Sequence, residues 1–156
     1  MIGKKSKAQS SFELLITLSV GLAILLPIVA IAFIQLANAN SSLSSIGAQQ
    51  AASKLAGIAT LVGSEGPPAK QVVQLQVPTG VRYIYIGSTN NDIGHEVIFV
   101  VGAPAGLSYV TAYTPINISG NLGGIVASGS YLVNVTAVSS CPGNAQLPCV
   151  YISPIV

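Results

Sequence analysis

Charge is what this sequence lacks most. Asp, Glu, Lys and Arg together make up 6% of its 156 residues, against about 25% in an ordinary soluble domain. It has no Trp, one His, one Met and two Cys. The four acids, Glu13, Glu65, Asp92 and Glu96, are scattered along the chain. A net charge of +2 excludes an electrostatic nucleic-acid binder, which needs a dense Lys/Arg face. One His and a few separated carboxylates leave little for acid–base catalysis, so no enzyme activity, cofactor or metal is expected. Nor does the shortage signal disorder, because disordered chains are polar and charged whereas 51% of this one is hydrophobic. The surface must be solvated by hydroxyls, amides or attached sugars.

The few charges are unevenly placed. Lys4, Lys5 and Lys7 fall in the first eight residues, and only Lys54, Lys70 and Arg82 follow. Leu14 to Ala37 is then a run of 24 residues without a charge, interrupted only by Thr17, Ser19 and Gln35 as polar residues. About 20 helical residues cross the hydrocarbon of a bilayer. The run has no polar face of the kind a core helix of a soluble protein shows. A membrane-inserted helix is expected, with its basic end held in the cytoplasm. Pro27 removes one backbone donor inside it and should weaken that turn.

Two processing schemes fit this N-terminus. A secretory signal would be cut after Ala37-Asn38-Ala39 and release a soluble chain from Asn40. Against this, the apolar run is longer than such signals use, and Glu13 interrupts the handover from basic to apolar residues. The second scheme starts from Lys7-Ala8-Gln9-Ser10-Ser11-Phe12-Glu13, a short basic leader, a small residue, Gln, and a Glu immediately before an apolar helix. This arrangement resembles the class III signal of archaeal type IV pilin-like proteins, Q-x-S-x-E followed by x-x-x-L. Gln9, Ser11 and Glu13 match, whereas the terminal Leu position is Thr17, with Leu18 one place late.

The resemblance implies that a prepilin peptidase cuts between Ala8 and Gln9 and leaves the helix on the mature chain. It implies partners as well: the membrane before assembly, an assembly ATPase with its membrane platform protein, and the chain itself as a helical homopolymer. Location would pass from the cytoplasmic membrane to a filament at the cell surface. Glu13 would meet the N-terminal amine of a neighbouring subunit and set axial register, provided Gln9 has not cyclised. Without a neighbour, a carboxylate in the first turns of a helix is stabilised by the helix dipole alone.

Beyond the apolar run, Asn38 to Val62 is rich in Ala and Ser, with Leu43, Ile46 and Gln50 and then Leu55, Ile58 and Val62 at helical spacings. Gly63-Ser64-Glu65-Gly66-Pro67-Pro68 is a strong stop. One helix over 9–62, about 80 Å long if continuous, is expected after a removed leader at 1–8, with small residues as a helix-packing surface. A linker over 63–70 leads to a head over 71–156. There the period becomes two: Gln71–Val77 alternates, Val81–Gly87 places Arg82, Ile84 and Ile86 on one face and Tyr83 and Tyr85 on the other, and Val97–Val101 reads as a buried strand. Short strands follow at Leu107–Tyr113, around Asn117, and at Ile125–Ala127, Tyr131–Ser139 and Cys149–Ile155. The fold class is α+β, a long N-terminal helix and then an antiparallel, sandwich-like head that closes its core internally and folds without the helix.

All six Tyr lie in the head and are expected at the edge of its core, with an outward contact surface as the alternative. Outside the cell Cys141 and Cys149 are expected to pair. Three sequons occur, at Asn117, Asn134 and Asn40. Asn134 and Thr136 should point away from the core, because Tyr131, Val133, Val135 and Ala137 occupy the inward positions. Asn40, on the helix, is the least expected acceptor. Asp92, His95 and Glu96 cluster within Asn90–Glu96, but their spacing fits a turn better than a metal loop. The expected function is that of a structural filament subunit serving adhesion. A monomeric membrane-anchored binding protein and an archaellin-like motility subunit are the alternatives.

Overall fold

The computed structural model describes residues 4–155 except 91, 104–105 and 143–146, and of residues 4–10 only the backbone. The chain is α+β: helix α1 (Lys4–Glu65), then strands β1 (Lys70–Val77), β2 (Val81–Gly87), β3 (Gly94–Ala103), β4 (Gly106–Asn121), β5 (Gly129–Val138) and β6 (Cys149–Pro154). It divides into two compact units, 1–39 and 40–156.

In the first unit, every residue from Ser11 to Ala39 is exposed. In the second, the remainder of α1 is one layer of the head and the strands are the other. The strands form a single sheet in the order β1-β5-β6-β4-β2-β3, with β3 also paired to β4. All pairings are antiparallel except β4 with β6. Sequence periodicity suggested two facing sheets; the second layer is instead the helix.

The side of α1 that meets the sheet is built almost entirely of alanine. Ala48, Ala51, Ala52, Leu55, Ala56, Ala59 and Val62 are buried, whereas Leu43 and Ile46 are exposed. Alanine at five of these seven positions lets the helix backbone approach the sheet closely, and Leu55 and Val62 fill the space that remains. Facing it are Leu75, Ile84, Ile86, Phe99, Val133 and Ile152, all fully buried. The expectation that residues 71–156 close a core internally is therefore corrected, since seven residues of α1, from Ala48 to Val62, belong to the same core. Gly63 lies where a Cβ would collide with Ile116 Cδ1, so the last turn cannot carry a larger side chain without repacking. Gly66, at φ +74°, ends the helix in the left-handed region, its N–H donating to the Val62 carbonyl at 3.2 Å.

Polar contacts tie the helix to the sheet. The Thr60 and Thr114 hydroxyls meet at 2.9 Å with Thr114 fully buried, and Ser44 meets Thr79 at 3.2 Å. Lys54 Nζ donates to the Gln74 carbonyl of β1 at 2.8 Å, and Gln49 Nε2 donates to the Thr111 carbonyl of β4 at 3.4 Å. Among the described residues β1 pairs only with β5, and the stretch 106–113 of β4 only with β3. These two stretches are the open edges of the sheet, and one helix contacts both.

Other differences from the sequence reading have local causes. The expected strands at Leu107–Tyr113 and around Asn117 are one strand, β4, which changes partners near Pro115, a residue with no N–H for the ladder. Ile125–Ala127 is not a strand. Ile125 is nonetheless buried, its N–H donating to the Leu122 carbonyl in a turn. In β2 a register shift between Val81 and Tyr83 turns Arg82 outward and Val81 into the core.

Candidate functional site

The apolar run Leu14–Ala37 is helical throughout, with Pro27 inside α1. It is long and apolar enough to cross a membrane, and none of its residues is covered by the rest of the chain. Its hydroxyls need no outside partner. Thr17 Oγ1 donates to the carbonyl of Glu13 at 2.7 Å, with the Leu14 carbonyl at 3.1 Å, and Ser19 Oγ donates to the Leu15 carbonyl at 2.8 Å. Hydroxyls satisfied in this way enter hydrocarbon without an orphaned donor. Glu13 is exposed at the start of this segment. Ala8 and Gln9 lie within α1, and their side chains fall outside the described residues.

In the head, Cys141 and Cys149 form the expected disulfide. It joins the start of β6 to the loop after β5, part of which (143–146) lies outside the described residues. Closing a loop of about nine residues contributes about 2.5 kcal/mol on the loop-entropy relation. Replacing both cysteines by serine should lower the melting temperature of the head by on the order of 10 °C, a shift that calorimetry under oxidising conditions would measure. No shift at all would mean that the loop is ordered without its bond.

The three sequons differ in exposure. Asn40 and Ser42 are exposed on α1. Asn117 is half-buried in β4, with Ser119 only 5% exposed. Asn134 and Thr136 of β5 are half-buried on the face opposite Val133, Val135 and Ala137, and both Asn134 Oδ1 and Thr136 Oγ1 are enclosed without a hydrogen-bond partner. Alternation thus gives the face correctly for Asn134 and Thr136, but that face is itself partly covered.

Of the Asn90–Glu96 segment, Gly94, His95 and Glu96 belong to β3, and Asn91 lies outside the described residues. Ser88 Oγ accepts from the backbone N–H of Asn90 at 3.4 Å and of Asp92 at 3.2 Å. His95 donates Nδ1–H to the Ile116 carbonyl at 3.0 Å and lies 5.9 Å, ring to ring, from Tyr113. No three of His, Cys, Asp and Glu come together as a metal site among the described residues. His95 borders a cleft of about 250 Å³ between the end of α1 and β4, β5 and β6, with Gly63, Ile116, Asn117 and Pro148 around it. The lining carries no acid, and its one cysteine, Cys149, is in the disulfide. A second groove of about 290 Å³ runs between Gln50 and Lys54 of α1 and Gln76 and Pro78 by β1. Neither has the pairing of nucleophile and base that acyl or phosphoryl transfer requires.

The tyrosines divide between the two expectations, with Tyr131 packed at the edge of the core and three others open to solvent. Tyr83, Tyr109 and Tyr113 are 55%, 61% and 69% exposed, and Tyr85, Tyr131 and Tyr151 are half-buried. Alternation along β2 and β4 held this information, because the inward positions were already filled by Ile84, Ile86, Val110 and Ala112. Comparison of the chain with protein-family models, with curated proteins and with solved structures finds no match, so its reading rests on its own residues.

Proposed function

We propose that this chain is the structural subunit of an archaeal type IV pilus-like surface filament, assembled through the N-terminal part of α1 and serving adhesion. The observation that carries the reading is an apolar helix, exposed on every side from Leu14 to Ala37, on a chain whose head has its own core. Such a surface needs lipid or other copies around it. Burying half of it, roughly 1,000 Å², contributes on the order of 25 kcal/mol before the costs of association. The signal resemblance at Gln9, Ser11 and Glu13 names the route: cleavage after Ala8 by a prepilin peptidase, residence in the cytoplasmic membrane, then extraction by an assembly ATPase and platform protein. Glu13 sets register against the neighbouring subunit's amine. Asn117 and Asn134 carry glycans, which solvate a head with very few charges.

A second reading has one observation in its favour. The compact unit begins at Asn40, immediately after Ala37-Asn38-Ala39, so cleavage there would release the head as a secreted protein. N-terminal mass analysis of cell-derived protein separates the two. The expected mature chain begins at Gln9, with or without cyclisation, and electron microscopy shows filaments containing it. A start at Asn40 would remove the assembly helix and with it the filament. Peptide mapping of the same material should find sugar on Asn117 and Asn134.

A further inference from the structure

The outer face of the sheet carries a second, smaller apolar layer. Residues of β3 alternate between faces, and Val97, Phe99 and Val101 belong to the core under the helix. Ile98 and Val100 point the other way, yet they are only 3% and 1% exposed. Their neighbours follow from register. Val100 lies between Tyr83 of β2 and Tyr109 of β4, and Ile98 between Tyr85 and Thr111. In the register Tyr83, Tyr85 and Tyr109 flank these buried aliphatics, while Tyr83 and Tyr109 keep more than half their own surface open. Tyr83 and Tyr85 lie nearly parallel, at 19°, with ring centroids 6.0 Å apart. Tyr83 and Tyr109, two strands apart, are separated by roughly 10 Å.

Three properties of this face specify what it fits. It is an open sheet surface, and its tyrosines line neither of the two clefts. Its three exposed phenols offer on the order of 400 Å², the size of the largest, often functional patch on an ordinary monomer and half of the ~800 Å² each partner gives to a standard protein interface. The charges beside it are one of each sign, Arg82 next to Tyr83 and Glu96 opposite Tyr113, so the face attracts neither polyanion nor polycation. A ligand that stacks on open rings, bonds to phenol hydroxyls at its rim and carries no charge is a neutral polysaccharide of pyranose units. We propose that the face formed by Tyr83, Tyr109 and Tyr113 binds such a polysaccharide. This deepens the adhesion reading and rests on it for avidity, since many heads on one filament multiply a weak contact.

Binding by one head does not require the filament, so the test uses the full chain, unassembled, in a detergent without a sugar headgroup. Cellohexaose, mannohexaose and the charged alginate hexasaccharide are titrated, with tyrosine fluorescence as the readout because the chain has no Trp. A neutral hexasaccharide is expected to bind and alginate not. Tyr83→Ala with Tyr109→Ala should weaken binding at least about tenfold, whereas Tyr→Phe at both should retain most of it. Tyr113→Ala, at a position that flanks neither Ile98 nor Val100, should weaken it several-fold and supplies the answer if the double variant does not fold. Failure of both neutral sugars to bind, equal binding of alginate, or unchanged affinity in folded alanine variants would overturn the proposal. So would a loss of self-association, by light scattering, in those variants, because the face would then be a contact between copies. Filament formation, scored separately by microscopy, leaves these outcomes untouched.

Discussion

A chain beginning at Gln71 will not fold, whereas one beginning at Asn40 will. The two differ by the segment that buries Ala48, Ala51, Ala52, Leu55, Ala56, Ala59 and Val62 against the sheet. Without it the inner side chains of six strands, Phe99, Leu75 and Ile152 among them, face water. Trimming Leu55 alone to Ala should cost about 2–5 kcal/mol, and a whole domain is stable by only about 5–15 kcal/mol. Loss of the entire layer therefore exceeds what the sheet can survive. Expressed under oxidising conditions, residues 40–156 are expected to be monodisperse by light scattering, with mixed helix and strand by circular dichroism. Residues 71–156 are expected to aggregate. A soluble, strand-rich monomer from the shorter chain would show that the helix decorates the sheet rather than completing it.

The second large effect lies in the apolar segment. Placing Lys at Ile24 and at Ile28 puts two charges near the middle of the run, each disfavouring insertion by about 3 kcal/mol. The gain from Leu, Ile and Val around them is of similar size, so the segment should no longer partition into the bilayer. Membrane fractionation would find the variant outside the membrane fraction and microscopy would find no filaments, while the disulfide-bonded head stays intact. Unchanged fractionation would mean that the segment has a protein partner that accepts charge. The single change Glu13→Gln is a milder probe. It leaves insertion intact and, if Glu13 sets register, removes assembly alone.

How legible the fold is in the sequence varies with the kind of signal. The helix, its stop at Gly66 and the strand pattern are local, and periodicity reports them well: Val97–Val101, read as a buried strand, is buried on both faces. What covers each face is not local. The alanines of residues 48–59 look like a surface for another helix, because small residues permit any close neighbour, and nothing nearby in sequence names a sheet as that neighbour. The bulge at Arg82 and the partner change at Pro115 also defeat periodicity, since each resets the alternation by one residue or one partner. The candidate site divides the same way. The apolar run, Glu13 and the cysteines were evident from composition and spacing. The tyrosine face needed β2, β3 and β4 to be laid side by side.

The two open edges of the sheet are each contacted from the same helix, β1 by Lys54 and β4 by Gln49. Where many identical heads stand close together, bare strand edges would invite one sheet to continue into the next and lock the array into a cross-β solid. Here each edge has a carbonyl already engaged by a side chain of the helix.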